Sequence, residues 1–415
     1  MNLNKKAAAL LLAGCLCFST LTACGNPADG DTLTDNATTT ESHSELPTET
    51  ETETETETEM NTETETDTET EPATDTEPPQ PQYSPIVEEN GKDALQGIAP
   101  APADTYIDPL TGTAVSREEA ERRPVAIMLN NVTAALPQQN IGAADILYEC
   151  QVEGYLTRLM GVYNQYEDLV AIGSVRSSRE YYLDFAANHD AIYVHAGGSD
   201  SAYRDLKARK THNVDAVNDY VVSGYFYRDP NRLATMRYEH TLVIDGDRLN
   251  AAIAAKKYRT TYAGAFESPM QFVGEDQQIS LTDGTRAKEL TVKFGAHTTS
   301  LVYDAASNRY LRWQNGKKHV DGVTNEQLGF ENVILLYCPY SQTNDALGHI
   351  TVASTGSGTG YYFTGGKYME IRWSKASGDA PLRLTYPSGK ALTLTPGKTN
   401  FEIVGYASAV TITEE

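Results

Sequence analysis

The sequence predicts an α+β protein in which an N-terminal mixed α/β domain, residues 86–257, precedes a mostly antiparallel β domain, residues 258–412, of sandwich or barrel-like form. In the first segment, short apolar runs typical of strands alternate with runs of helical period. In the second, strand-like runs rich in Tyr, Thr and Val are separated by turn dipeptides such as Asn315-Gly316 and Ser388-Gly389.

The chain begins with the pattern of a bacterial lipoprotein signal. Lys5 and Lys6 precede an apolar run over residues 7–18, which is too short for a stop-transfer helix. Small residues then lead to Cys24. The alternative is an ordinary secretory signal in which this cysteine falls by coincidence. We expect residues 1–23 to be removed and Cys24 to be lipidated, which anchors the protein to the outer leaflet of the cytoplasmic membrane.

Residues 24–85 have the composition of a disordered acidic tether. Thr-Glu dipeptides repeat from Thr48 to Glu71, and the 18 acidic residues between Asp29 and Glu77 are accompanied by no Lys or Arg. Such a segment buries too little apolar surface to offset the entropy of ordering, and its like charges repel one another. We expect it to hold the folded part away from the membrane.

Charge and cysteine usage exclude several classes of function. The net charge of −24 comes largely from the acidic tether, and the absence of a basic stripe argues against nucleic acid as a partner. Cys150 and Cys338 lie in apolar runs, where buried free thiols are favoured over a disulfide between the domains. His319 with Asp321, and His349 with Asp345, could serve as metal ligands, but carboxylates in turns favour a structural role, and no cysteine spacing is typical of a metal site. No motif predicts a cofactor.

Local signals define several elements of the first domain. Ser116 and Glu119 form the pattern of a capping box, so a short helix should begin there and end before Pro124. Two strands, 145–152 and 156–163, should form a hairpin at Glu153-Gly154.

The stretch from Gly173 to Leu206 concentrates the polar chemistry of the chain. Arg176, Ser177 and Arg179 follow a short strand at the start of a predicted helix, and His195 ends the next strand. The turn Gly197-Gly198-Ser199 then leads into a second helix, an arrangement whose free N–H groups favour an anion. In an α/β sheet the arginines and the glycine turn would both lie at the carboxyl ends of strands, so we expect them to converge on one ligand site.

Two other interpretations of this stretch stay open. Arg176 and Arg179 could pair internally with carboxylates of the same domain, and Ser199 could be an ordinary helix cap. His195 and Ser199 also suggest a nucleophile and its base, although no Gly-x-Ser-x-Gly elbow is present. The candidate supporting residues are Asp145, Glu149, Glu153 and Arg158.

Several motifs resemble the YerB-like lipoproteins of Gram-positive bacteria. They are Pro124-Val125-Ala126-Ile127-Met128, Ala144-Asp145-Ile146-Leu147-Tyr148-Glu149, Thr157-Arg158-Leu159-Met160, Gly173-Ser174-Val175-Arg176-Ser177-Ser178-Arg179 and Val194-His195-Ala196-Gly197-Gly198-Ser199. The resemblance extends from about Asp108 almost to the C-terminus and implies a two-domain envelope lipoprotein of undefined activity. This chain departs from the family pattern at Asn130, where Asp is expected, at Leu136, where Arg is expected, and at Tyr238-Glu239-His240.

Together these observations predict a non-enzymatic, membrane-anchored extracytoplasmic lipoprotein of the Gram-positive envelope. Its first domain should recognise an anionic partner, such as peptidoglycan, teichoic acid or an envelope protein. The competing hypothesis is a cell-wall-modifying hydrolase or transferase with a site around His195 and Ser199.

Overall fold

A large mixed sheet organises the protein, and the computed structural model describes it over residues 84–295 and 297–415. The predicted signal peptide with Cys24, and the predicted tether as far as residue 83, lie outside the described residues.

The secondary structure of the described chain is mostly strand. In chain order the strands are β1 Ile86–Glu89, β2 Tyr106–Ile107, β3 Ala114–Val115, β4 Val125–Asn130, β5 Ile146–Gln151, β6 Thr157–Tyr163, β7 Ile172–Gly173, β8 Ile192–His195, β9 Asn213–Asp215, β10 Tyr227–Arg228, β11 Leu242–Ile244, β12 Gln278–Leu281, β13 Thr285–Arg286, β14 Glu289–Lys293, β15 Thr298–Asp304, β16 Arg309–Gln314, β17 Lys317–Lys318, β18 Gly329–Phe330, β19 Asn332–Tyr337, β20 Tyr340–Gln342, β21 Ile350–Val352, β22 Gly356–Thr364, β23 Lys367–Lys375, β24 Arg383–Thr385, β25 Thr399–Val404 and β26 Ala409–Thr413. The α-helices are α1 Arg117–Glu121, α2 Glu180–Ala187, α3 Asp200–Arg209, α4 Pro230–Thr235 and α5 Gly246–Ala255.

Strand directions in the large sheet define a common edge. The order is β13-β23-β22-β19-β25-β5-β6-β4-β8-β9, with β24 also paired to β23. Strand β4 is parallel to β8, and both β4 and β5 are antiparallel to β6. Strands β4, β5 and β8 therefore end at the same side of the sheet, which we call the carboxyl edge.

The two halves of the sequence meet within this sheet. Strand β25, near the C-terminus, pairs in parallel with β5, from Ile146 opposite Thr399 to Cys150 opposite Ile403. The ring of Tyr148 on β5 stacks on Phe401 of β25, with centroids 4.4 Å apart. This pairing places the strands from the C-terminal half of the chain directly beside those from the N-terminal half.

Each face of the large sheet has its own core. On one face, Tyr148 and Tyr193 pack against α2 and α3. The aromatic face predicted for the first of these helices is confirmed, since Tyr181, Tyr182 and Phe185 of α2 are buried.

The opposite face of the large sheet packs against α5 and a second, six-stranded sheet. This second sheet is antiparallel, in the order β17-β16-β15-β14-β26 with β18 beside β16. Its Leu290, Leu301 and Tyr310 contribute to a core that also contains Leu147 and Leu159 of the large sheet. The two stacked sheets confirm the predicted sandwich-like character of the β-rich part.

The local predictions for the first domain agree with these elements. Ser116 caps α1 by accepting a hydrogen bond from the Glu119 N–H at 3.2 Å, and the Glu119 carboxylate accepts one from the Ser116 N–H at 2.8 Å. Strands β5 and β6 form the expected hairpin, and Gly154 in its turn has a φ of 63°. Cys150 and Cys338 are buried free thiols, as predicted.

Because β5 and β25 share one sheet and one aromatic stack, we expect the described chain to unfold in a single transition. Phe401→Ala should lower the free energy of unfolding by about 3–5 kcal/mol, as is typical of an aromatic deletion in a core. Denaturant unfolding followed by circular dichroism measures this change. Phe266→Ala is the matched control, because Phe266 is half-buried and lies outside both cores. A first transition that spares β4, β6 and β8 would contradict the expectation.

Candidate anion-binding site at the carboxyl edge of the large sheet

The segment 173–179 crosses the carboxyl edge and connects the ends of two strands. The Arg176 N–H donates to the Met128 carbonyl at 2.9 Å, and the Ala196 N–H donates to the Arg176 carbonyl at 2.9 Å. The Ser178 N–H likewise donates to the Gly197 carbonyl at 2.9 Å. The tertiary structure therefore brings Arg176 and Ser177 beside the Gly197-Gly198 turn, at the position where α/β sheets commonly bind ligands.

Two of the arginines at this edge share an internal counter-ion. Arg179 makes a bidentate pair with Glu153, at 2.9 and 2.6 Å, and Arg158 reaches the same carboxylate at 2.9 Å. Burial opposes ionisation of Glu153, but Arg158 and Arg179 outweigh it and hold the pKa of the carboxyl below its ordinary value. Arg179 is thus a structural residue, in agreement with the internal-pairing interpretation. One carboxylate between two guanidinium groups leaves this cluster with a net positive charge.

Arg176 has a different environment. Its guanidinium is half-buried and forms no hydrogen bond or salt bridge with any residue that the structure describes. Burial lowers its pKa, the charge of Glu239 opposes that effect, and Arg228 adds to it. Arg228 itself lies 3.9 Å from the centre of the Tyr238 ring and donates to the Tyr238 carbonyl at 2.7 Å. Arg176 is therefore a cation at a positively charged edge, with its hydrogen-bonding capacity available.

The glycine turn already contains an anion from the chain itself. The Gly197 N–H donates to Asp215 at 2.8 Å, and the same carboxylate accepts from the Val217 N–H at 3.0 Å and the Tyr203 hydroxyl at 2.7 Å. Burial would raise the pKa of Asp215, but nearby His195 and these hydrogen bonds lower it. This corrects the expectation that the turn is open to a ligand, because its Gly197 N–H is occupied.

Ser199 and His195 do not form a nucleophile and base. Ser199 caps α3, accepts from the Ala202 N–H at 3.2 Å and lies 2.9 Å from the Ser201 hydroxyl. His195 is fully buried, and its Nδ1 and Nε2 face the Gly197 carbonyl at 2.8 Å and the Asn213 Oδ1 at 3.2 Å. Both side chains are held by structural contacts, so the geometry does not support the hydrolase hypothesis.

Two predicted supporting carboxylates lie away from the carboxyl edge. Asp145 precedes β5 at the opposite edge, where it accepts a hydrogen bond from the Asn164 N–H at 2.8 Å. Burial and the neighbouring Asp108 raise its pKa to about 7. Glu149 is fully buried on the face of β5 that contacts the second sheet.

Glu149 belongs to a buried polar network that the sequence did not reveal. Its Oε1 accepts from Asn131 at 2.8 Å and lies 2.6 Å from His297 Nε2, while its Oε2 accepts from Thr299 at 2.8 Å and from Arg312. Glu402, the register partner of Glu149 on β25, accepts from Arg312 at 2.8 Å. The only sequence signal was a charged residue at an inward-facing position in each of three strands, β5, β16 and β25.

The two glutamates of this network have opposite protonation behaviour. Burial disfavours ionisation of Glu149, but Arg312 and His297 hold its pKa well below the ordinary value. Burial and the negative charge of Glu149 raise the pKa of Glu402 to about 8. At neutral pH Arg312 therefore compensates the charge of the ionised Glu149, while Glu402 is protonated and neutral.

The described residues contain no cluster of three or more His, Cys, Asp or Glu side chains that could hold a metal ion. His319 is buried, and its ring nitrogens contact Arg312 Nε at 3.0 Å and Gln138 at 2.8 Å. His349 pairs with Asp345 at 2.7 Å. Within the same residues, no helix combines the length and apolar character that a membrane span requires.

Comparison with known proteins identifies the family. Residues 110–259 match the N-terminal domain of DUF3048, a "Protein of unknown function", and residues 290–400 match the C-terminal domain of DUF3048. These two matches together span more than half of the chain, which therefore belongs to this two-domain family.

Two comparisons concern a protein of Bacillus subtilis. The chain is 27% identical over 334 residues to the "Putative lipoprotein YerB" of strain 168, and the alignment covers 79% of this chain and 94% of that protein. It is also similar to the crystal structure of the YerB protein, with a TM-score of 0.63 and 25% identity, over 74% of this chain and 99% of that one. The resemblance to YerB-like lipoproteins is thus confirmed.

The buried glutamate pair leads to a pH-dependent stability. Between the ordinary pKa of 4.5 and about 8, the folded protein holds a proton on Glu402 that the unfolded chain has lost. The free energy of unfolding therefore decreases as the pH rises through that window, by up to about 1.4 kcal/mol per pH unit from Glu402 alone. Glu402→Gln should remove this loss, so the stability of the variant relative to the natural protein should rise from about pH 4.5 to about pH 8 and stay constant above that.

Chemical denaturation at a series of pH values measures this difference. Glu370→Gln is the control, since Glu370 is exposed on β23 and its substitution should leave the pH dependence unchanged. An identical pH dependence of Glu402→Gln and the natural protein would show that folding does not raise the pKa of Glu402.

Proposed function

We propose that this protein is a lipid-anchored protein of the bacterial envelope that binds an anionic group at Arg176. Three features support the anchor: the basic start of the chain, the apolar run after it and the small residues before Cys24. The lipoprotein name of the Bacillus subtilis relative supports it as well. An acidic segment then separates Cys24 from the folded part, so the binding domain would act at a distance from the membrane surface.

The observation that carries the binding proposal is the contrast between neighbouring arginines. Arg158 and Arg179 are both paired with Glu153, whereas Arg176 has a half-buried guanidinium that pairs with no described residue. Partial burial strengthens an interaction with an incoming anion, because water screens it less. A guanidinium fork matches the oxygens of a carboxylate or a phosphate. Peptidoglycan peptides, teichoic acid and acidic envelope proteins carry such groups.

The surroundings of Arg176 favour binding over catalysis. Asn130, which ends β4, donates its side-chain amide towards His240 Nδ1 at 3.0 Å. The family pattern has an aspartate at this position, and an amide cannot serve as the general base that a carboxylate could provide.

Binding is tested with the mature chain from residue 25 onward, which lacks the lipidated cysteine. Calorimetric titration with muropeptides and with teichoic acid should give saturable binding that weakens as salt is added. Arg176→Ala should weaken it by about 10- to 100-fold, the effect of a charged hydrogen bond of about 1.5–3 kcal/mol. Arg204→Ala is the matched control, because Arg204 is exposed on α3. Equal losses in both variants would argue against a site at Arg176.

The anchor is tested separately. In cells that produce the full chain, Cys24→Ala should move the protein from the membrane fraction to the soluble extracytoplasmic fraction, because no acyl chain can be attached. Cys338→Ala serves as the control, since Cys338 is a buried thiol of the folded part. Membrane retention of the Cys24→Ala protein would contradict lipid anchoring.

A further inference from the structure

A cavity of about 410 Å³ lies between the loop after β4 and the hairpin of β16 and β17. Its lining comes from both halves of the sequence, with Leu136 and Pro137 from the first and Gln314, Lys317, Lys318 and Val320 from the second. The volume is within the range of about 300–1,000 Å³ that is usual for ligand pockets. The cavity involves neither Arg176 nor the glycine turn.

The wall formed by the loop after β4 is held in place from outside the cavity. Arg232 donates to the Ala135 and Pro137 carbonyls, both at 2.6 Å. On the other side, Gln138 accepts from His319 Nε2 at 2.8 Å. Since Arg312 Nε donates to His319 Nδ1, both ring nitrogens of His319 are engaged and its ring is neutral. Burial and the charge of Arg312 lower its pKa to about 3, in agreement with this arrangement.

Gln314 provides an unpartnered hydrogen-bond acceptor beside the cavity. The side chain is 3% exposed, and its Nε2 donates to the Asn131 carbonyl at 2.8 Å. A carbonyl cannot donate, so this bond fixes the orientation of the amide. Its Oε1 then has no hydrogen-bond partner among the described residues. A buried acceptor without a partner is unfavourable, so the position is suited to a ligand that donates an N–H or O–H group.

The rim of the cavity is cationic. Lys317 is exposed and lies opposite Gln314 across the hairpin, and no acidic side chain is part of the lining. Lys318 is also exposed, but it lies opposite Trp313, and its ammonium nitrogen is 6.0 Å from the centre of the Trp313 ring. Leu136, Pro137 and Val320 supply apolar surface between this rim and Gln314. Because the hairpin residues 315–318 are exposed, they can adjust more readily than the loop clamped by Arg232. The Gln314 Oε1 atom is fully buried, so a ligand would reach it only after the hairpin residues 315–318 shift.

We propose that this cavity binds a short peptide with a free C-terminal carboxylate and small apolar side chains. The carboxylate would lie against Lys317, and the side chains against Leu136, Pro137 and Val320. A peptide N–H would donate to Gln314 Oε1. This site is separate from the Arg176 surface and does not depend on the anion-binding proposal.

The probe is N-acetyl-alanyl-alanine, titrated into the mature chain from residue 25 onward and followed by calorimetry. Saturable binding is expected for the free acid. Its methyl ester, which lacks the negative charge, and its N-methylated analogue, which lacks the donor, should each bind at least 10-fold more weakly. These ligand changes test the proposal without any risk to folding. No binding of the acid at millimolar concentration, or equal binding of all three compounds, would overturn the proposal.

The protein side of the test uses two double variants. Lys317→Ala with Lys318→Ala should weaken binding of the free acid at least 10-fold and reduce the difference between the acid and its ester. Lys207→Ala with Lys288→Ala removes two exposed lysines that are absent from the cavity lining, and it should leave binding unchanged. An equal loss in both double variants would indicate a general charge effect and would contradict the assigned site.

Discussion

The interaction of Arg312 with Glu149 and Glu402 is the constraint on which the stacking of the two sheets depends. The three side chains are fully buried, and Arg312 comes from the second sheet while both glutamates come from the large sheet. A buried charge that loses its partner destabilises a fold by about 3–5 kcal/mol, so the sheets can stack only in the register that joins these groups. Pairing of β5 with β25 places the two carboxylates side by side, and the guanidinium opposite them compensates the one that ionises.

The same requirement for local charge compensation shapes the carboxyl edge of the large sheet. Glu153 neutralises part of the charge of Arg158 and Arg179, and Asp215 occupies the N–H group of Gly197. These internal anions turn most of the polar residues of the 173–206 stretch into structural groups. Arg176 stands out because no such partner reaches it among the described residues. Its availability thus results from how the surrounding charges are distributed.

Local sequence patterns correctly predicted the elements that depend only on residues close together in the chain. The capping box at Ser116, the hairpin turn at Gly154 and the aromatic face of α2 each depend on residues a few positions apart, and each is present. The insertion of β25 next to β5 was not predictable in this way. Strand periodicity shows that a strand has a buried face, but it does not specify which distant strand completes the ladder.

The sequence by itself determined the signal pattern that ends at Cys24, the acidic composition of the following segment and the α+β class with a β-rich second half. It also indicated the stretch in which the candidate site lies. Only the tertiary structure decided that Arg179 is structural, that Asp215 occupies the glycine turn and that Arg176 is available. The physical reason is that charge compensation depends on distances of a few ångströms between side chains that are remote in sequence, and these distances exist only once the sheets have formed.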